Sequence, residues 1–153
     1  MNKLLTILIL TILPFCAFGQ QKQTKHPTPL AKFEKNVELP LSAKERQQII
    51  EVYGEFADEY VFNNKNRLKT IKQILRNRVV IKQINDDKDK KPCPKLSEVP
   101  LFNAYVPELE RDQNFNPQDF NPLKYNFQFY SVGAYMYQVD NTNYYIIIKS
   151  QHQ

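Results

Sequence analysis

Residues 124–149 read KYNFQFYSVGAYMYQVDNTNYYIIIK, and the alternation within them decides the fold class. Tyr125, Phe127 and Phe129 take every second position, as do Tyr135, Tyr137 and Val139, and again Tyr144, Ile146 and Ile148. Successive side chains of a strand point to opposite faces, so each set lines one face of a sheet. Aromatic and β-branched residues suit that pleated, half-buried surface. Gly133 falls in the first gap and Asp140-Asn141-Thr142-Asn143 fills the second, both with turn chemistry. A three-stranded antiparallel meander is therefore expected, with strands near 124–130, 134–139 and 144–149. Its aromatic rows read as core packing. They would read as a ring-stacking surface if both faces proved aromatic, with Tyr130 and Tyr145 exposed.

Upstream of the meander the period changes from two to three and four. Pro40 precedes Ser42, and Glu45 follows three residues later, the pattern of a capping box opening a helix over 42–61. Ile49, Tyr53, Phe56 and Tyr60 make one stripe at helical spacing. Ile50, Gly54, Ala57 and Val61 make a neighbouring one. Gly54 costs about 1 kcal/mol of helix propensity against alanine, which close approach of another element over Gly54 and Ala57 would explain. Asn63-Asn64 ends this helix, and a second is expected over 66–77 with Leu68, Ile71, Ile74 and Leu75 as its apolar face. The β-branched run that follows predicts a strand over 79–84, placed at a sheet edge. The chain thus reads as α+β: N-terminal helices packed on a small antiparallel sheet that ends in the C-terminal meander.

Residues 85–122 resist assignment. Phe115-Asn116-Pro117 is echoed by Phe120-Asn121-Pro122, and a residue before proline is pushed away from helix, so both mark turns. A structureless loop of this length is uncommon in a compact domain, so a short element is expected near 101–105.

The N-terminus carries an export signal. Met1-Asn2-Lys3 is a short positive region, and the apolar run to Phe18 is shorter than the roughly 20 residues a membrane span needs. Ala17-Phe18-Gly19 offers small residues for a cut before Gln20. Lipidation of Cys16 is the rival, disfavoured by bulky Phe15 just before it. Cleavage leaves 134 of the 153 residues, enough for one core. The organisation expected is a signal peptide over 1–19, a flexible lead-in over 20–39, one domain over 40–150 and a tail over 151–153. No second stretch is apolar enough to span a membrane. Bacterial periplasm or the extracellular space is the expected destination.

Several chemistries are excluded. Of three glycines, Gly19 leaves with the signal, and Gly54 and Gly133 stand alone, so no phosphate-cradling loop can form. His26 and His152 lie in terminal segments, and with one remaining thiol they cannot build a zinc shell. Asp86, Asp87 and Asp89 lack the turn glycine and terminal glutamate of a calcium loop. Glu55 and Glu59 read as helix surface. No metal and no cofactor is expected. Cys93, between Pro92 and Pro94, has lysines nearby that favour its thiolate, but no histidine base in the folded part. It reads first as an incidental loop thiol, and next as half of an intermolecular disulfide.

Charge is uneven. Residues 63–95 sum to +8, whereas 20–62 sum to −1 and 96–153 to −3. Lys65, Lys69, Lys72 and Arg76 share one face of the second helix, beside its apolar face. Such a stripe suits anionic lipid or polysaccharide; export argues against intracellular nucleic acid. The leading expectation is an exported, non-enzymatic domain that acts by binding. The alternative is a hydrolase-like enzyme using carboxylates of the 85–122 segment, among them Glu98, Glu108, Glu110, Asp112 and Asp119.

Overall fold

The structure, a computed structural model, describes residues 30–152. The expected export signal, residues 20–29 of the lead-in with His26, and Gln153 lie outside the described residues. Helices α1 (Ala43–Tyr53) and α2 (Lys65–Gln73) precede strands β1 (Val79–Gln83), β2 (Tyr135–Gln138) and β3 (Tyr144–Ile148). The strands form one antiparallel sheet in the order β1-β3-β2, so the chain is α+β.

Helix α1 opens as its sequence dictates. The Ser42 hydroxyl accepts from the Glu45 amide at 3.1 Å, and the Glu45 carboxylate accepts from the Ser42 amide at 2.8 Å. It closes earlier than its apolar spacing implies. Gly54 sits at φ 54°, ψ −132°, a conformation that side-chain-bearing residues rarely adopt. The backbone therefore favours glycine, and a Cβ added there would also press on Val106 Cγ2 at 3.1 Å. A 3₁₀ turn (Gly54–Phe56) and a π turn (Asp58–Phe62) follow. These turns alter the register, and the buried row runs through Ile49, Tyr53, Ala57 and Val61. Phe56 and Tyr60, expected inside, are 37% and 42% exposed.

Helix α2 starts at Asn64, whose side chain accepts from the Arg67 amide at 3.0 Å. Ile71 and Ile74 are buried, with Leu68 and Leu75 packed at the margin of the core. A π turn (Ile74–Arg78) delivers the chain into β1, which lies at the sheet edge as expected. Val79 and Ile81 face Ile148 and Ile146 across the ladder, and Tyr137 faces Ile146 from the other side. This sheet face, with Tyr144 and Val139, joins the core beneath the helices. As the central strand, β3 is covered on both sides, and Tyr145 on its other face is buried too. Truncating a side chain such as Ile146 or Ile148 costs roughly 2–5 kcal/mol.

The third strand is β1 rather than 124–130. Tyr125, Phe127 and Phe129 are buried, as their alternation predicts, but their segment satisfies its backbone differently. The Phe127 amide donates to the Tyr125 carbonyl at 2.8 Å and the Phe129 amide to Phe127 at 2.7 Å, two consecutive three-residue turns. Residues 100–102 run alongside: Phe102 donates to the Lys124 carbonyl and Asn126 to Pro100, both at 2.8 Å, around an antiparallel bridge from Leu101 to Tyr125. No helix or strand forms over 101–105, where a short element was expected; the segment contains this single bridge, with a 3₁₀ turn just upstream at Leu96–Glu98. The Asn-Pro pairs do form turns. Asn116 Oδ1 accepts from the Gln118 amide at 3.0 Å and Asn121 Oδ1 from Leu123 at 3.1 Å.

From Leu30 onward the lead-in is laid against the domain rather than detached. Residues Lys35–Glu38 form a 3₁₀ turn whose Val37 is fully buried. The tail is likewise paired. Ala31 donates to the Gln151 carbonyl at 2.8 Å, beside a bridge between Leu30 and His152.

Candidate functional site

The basic stripe on α2 and its π turn is present, but most of it points into the chain's own carbonyls. Lys65 is exposed. Lys69 Nζ lies 2.5 Å from Glu38 Oε1 and 5.9 Å from the centre of the Phe33 ring. Lys72 is buried and donates to the carbonyls of Val37 at 3.1 Å and Leu39 at 2.7 Å. Arg76 grips Glu45 through Nε at 2.5 Å and the second fork nitrogen at 2.7 Å, and also donates to the carbonyls of Asn36 and Pro40. The hydrogen bond from Arg76 brings the Glu45 carboxyl down to about 2 despite partial burial, and the same bond raises Arg76. Lys72 and Arg76 therefore clamp residues 36–40 onto the helices. A solvated face fully detached from the fold is not what these two residues form.

The carboxylates weighed for hydrolysis are dispersed. Glu98 accepts from the Lys95 amide at 3.1 Å, and Asp119 from the Asn116 side chain. Glu108 and Glu110 are exposed. Asp112 holds Lys124 Nζ at 2.6 Å, with Glu51 at 3.3 Å on the other side. Burial disfavours the charge on Lys124, but the Asp112 hydrogen bond and the two carboxylates outweigh it and raise the pKa. Asp112 also lines a cleft of about 360 Å³ with Asp140, whose carboxylate is bound by the Ser97 amide and hydroxyl at 2.9 and 2.6 Å. Both acids thus already hold partners.

Cys93 is half-buried, and burial pushes its thiol up, against a smaller opposing effect of the Gln138 amide. Its lysine neighbours do not produce the thiolate their proximity suggests. Among the described residues no group of three His, Cys, Asp or Glu side chains could hold a metal ion, and no helix is long and apolar enough to cross a membrane.

The feature with ligand-like geometry lies on the other side of α2. Arg67, Ile71, Ile74 and Arg78 recur at spacings of four, three and four, so two arginines flank the buried isoleucines in phase with the apolar face. Arg78 is buried and donates from Nε and its fork to the Lys149 carbonyl at 3.1 and 2.8 Å; burial lowers its pKa. Arg67, itself half-buried, lines a cavity of about 160 Å³ together with Tyr53. Ile71, Ile74, Leu123, Phe127 and Phe129 are among its walls, and exposed Tyr130 is at its margin. The Arg67 guanidinium donates to the Tyr53 hydroxyl at 2.9 Å. Burial lowers the Arg67 pKa, but the Tyr53 hydrogen bond together with the charge interactions of Tyr53, Tyr130 and Tyr105 raises it on balance; burial also raises the Tyr53 phenol. Among the described residues no carboxylate lies within ion-pair distance of Arg67.

Beside this cavity the aromatic rings left outside by the change of helical register form a cluster. Tyr105 packs against Tyr53 and Tyr60 at 5.0 Å between centroids, and against Phe56 and Phe102 at 5.8 Å. Of the two tyrosines whose exposure would favour ring binding, Tyr130 is exposed and Tyr145 is buried. Sequence reasoning counted Arg67 only as part of the basic segment. The available signal was its phase, since it shares the azimuth of Ile71 and Ile74 rather than of Lys65, Lys69 and Lys72. Comparison of the chain with protein-family models, with curated proteins and with solved structures returns no match.

Proposed function

We propose that the chain is an exported, non-enzymatic domain that acts by binding, and that its binding site is the apolar cavity beneath Arg67. One observation carries the reading: a cavity with apolar walls opens beside a half-buried guanidinium that has no carboxylate partner among the described residues. Binding sites combine apolar walls with a few placed polar groups in this way. Export rests on the Lys3-to-Gly19 signal pattern, and intact-mass measurement of secreted protein should find a chain beginning at Gln20. A diacylglyceryl adduct on Cys16 would overturn that start.

Titration with toluene, followed by the methyl NMR signals of Ile71, Ile74 and Leu123, tests the cavity. Saturable shifts confined to those walls are expected. Unchanged wall signals at saturating toluene would refute it. Anionic lipid or polysaccharide contact through Lys65, Lys69, Lys72 and Arg76 has less support, because Lys72 and Arg76 are engaged internally. Salt-sensitive binding to phosphatidylglycerol vesicles, lost on replacing Lys65 and Lys69 by glutamine, would restore it. The hydrolase alternative has the weakest footing, since Glu98, Asp112 and Asp119 are each tied to a local partner.

A further inference from the structure

We infer that the cavity takes a single aromatic ring bearing one carboxylate, with the ring among the isoleucines and phenylalanines and the carboxylate on Arg67 and Tyr53. The inference rests on the cavity being a binding site and adds the class of ligand. Size comes first. An apolar cavity of about 150 Å³ lined by leucine, isoleucine and phenylalanine admits one benzene molecule, and this one measures about 160 Å³. It is too small for the drug-sized ligands that occupy pockets of roughly 300–1,000 Å³. Wall chemistry comes second: Ile71, Ile74, Leu123, Phe127 and Phe129 dominate the lining, Asn126 and the tyrosines add polar atoms without charge, and Arg67 is its one charged residue, so the buried part of a ligand is mainly apolar and uncharged.

The rim decides the rest. Of the five N–H donors of a guanidinium, the described residues take up only the one Arg67 directs at Tyr53. A guanidinium fork matches a carboxylate with two parallel hydrogen bonds. The Tyr53 hydroxyl accepts from Arg67 and donates to none of the described residues, so its proton can serve the same carboxylate. Guanidinium and phenol thus converge at the mouth of the space that holds the ring. A cationic ligand would meet Arg67 with like charge, and a neutral ring would leave its remaining donors to water alone.

Phenylacetate, toluene and acetate separate the parts of this recognition. Phenylacetate carries both ring and carboxylate, toluene lacks the carboxylate, and acetate lacks the ring. Calorimetry and methyl NMR on the intact domain should give phenylacetate an affinity about tenfold or more above toluene, equivalent to roughly 1.4 kcal/mol or more, and no saturable wall shifts from acetate. Arg67→Gln should remove that advantage while leaving toluene affinity unchanged, with the thermal unfolding midpoint confirming that the variant is folded. Toluene binding as tightly as phenylacetate to the wild type would overturn the carboxylate assignment and leave the cavity intact as a binding site. Acetate displacing phenylacetate at equal concentration would overturn the role of the ring. Equal loss of phenylacetate and toluene in Arg67→Gln would show that Arg67 shapes the cavity instead of reading the acid. If neither toluene nor phenylacetate moves the wall signals, both readings fall together.

Discussion

Helix α2 and its π turn carry cations on two faces, and the two faces have opposite fates. On one, Lys72 and Arg76 reach residues 36–40 and Glu45 and are engaged by the chain itself. On the other, Arg67 meets a single phenol at the mouth of an apolar cavity. A count of charge along the sequence ranks the first face higher because it is denser. The proposed site lies on the second, because unfilled donors beside an apolar space suit a ligand better than dense charge already engaged within the fold. Dense charge that finds carbonyls and carboxylates within the fold becomes architecture.

The largest consequence of that division is for stability. Replacing Lys72 and Arg76 together by glutamine should destabilise the domain by roughly 2–3 kcal/mol, since it removes buried Lys72 from its two carbonyls and leaves the partly buried Glu45 carboxylate without its guanidinium. Chemical denaturation gives the value. A loss under about 1 kcal/mol would return the stripe to the status of a solvated face and would erase the contrast with Arg67.

The same pair predicts an acid response. The Glu45 carboxyl stands at about 2 in the folded state against an ordinary 4.5, chiefly through its hydrogen bond from Arg76. A depressed folded pKa means that its contribution is present above pH 4.5 and is lost as the pH falls towards 2. Solvent around this partly buried carboxylate screens the interaction, so the loss is on the order of 1–2 kcal/mol, below the full value of the shift. Glu45→Gln should flatten this part of the stability curve. An acid limb unchanged in that variant would mean that another carboxyl controls it.

These contrasts also show what the sequence could disclose. Periodicity predicted burial well: the alternating Tyr125, Phe127 and Phe129 are inside, and so are Ile71 and Ile74. It could not say which backbone groups an extended segment pairs with, because residues 124–130 bury the same faces whether laddered to β2 or folded into local turns beside 100–102. It also carried the helical stripe through Gly54 to Phe56 and Tyr60. The helix ends there on the positive φ of Gly54, beside Val106 about fifty residues away, and helical spacing alone does not announce either. The Ser42–Glu45 box and the existence of strand β1 were legible because the one depends on neighbouring residues and the other on the β-branched run alone. The candidate site was mostly illegible. Its walls come from Tyr53 of α1, from α2 with its π turn and from 102–130, and only the phase of Arg67 with Ile71 and Ile74 was written in one place.

A smaller effect is expected at Lys69, which lies between the two faces in its degree of engagement. Its pair with Glu38 is largely exposed, at 41% and 67% for the two side chains. Exposed pairs contribute about 0–1 kcal/mol and weaken with salt. Lys69→Gln should therefore shift stability by less than about 1 kcal/mol at low salt and by nothing measurable at high salt. A salt-independent loss of several kcal/mol would place Lys69 in the clamp beside Lys72 and Arg76.

The smallest stability effect should belong to Arg67, which separates a site residue from a structural one. The side chain is half-buried and has one side-chain partner, so Arg67→Gln forfeits one hydrogen bond, about 1 kcal/mol or less where water can replace it. The change should be visible instead in the titration of Tyr53. Burial raises that phenol above its ordinary 10.0, while the hydrogen bond and charge of Arg67 act in the opposite direction. Removing Arg67 leaves burial less opposed, so the Tyr53 pKa should move further up, followed by the ring carbon that bears the hydroxyl in NMR. The sign carries through to stability. A phenol whose folded pKa exceeds its unfolded value stabilises the fold below pH 10, and this contribution declines as the pH rises above it. In Arg67→Gln the decline should extend to higher pH than in the wild type. A Tyr53 titration unchanged by the substitution would mean that guanidinium and phenol do not act as a pair. The rim would then lack the joint donor set that distinguishes this face of α2 from the other.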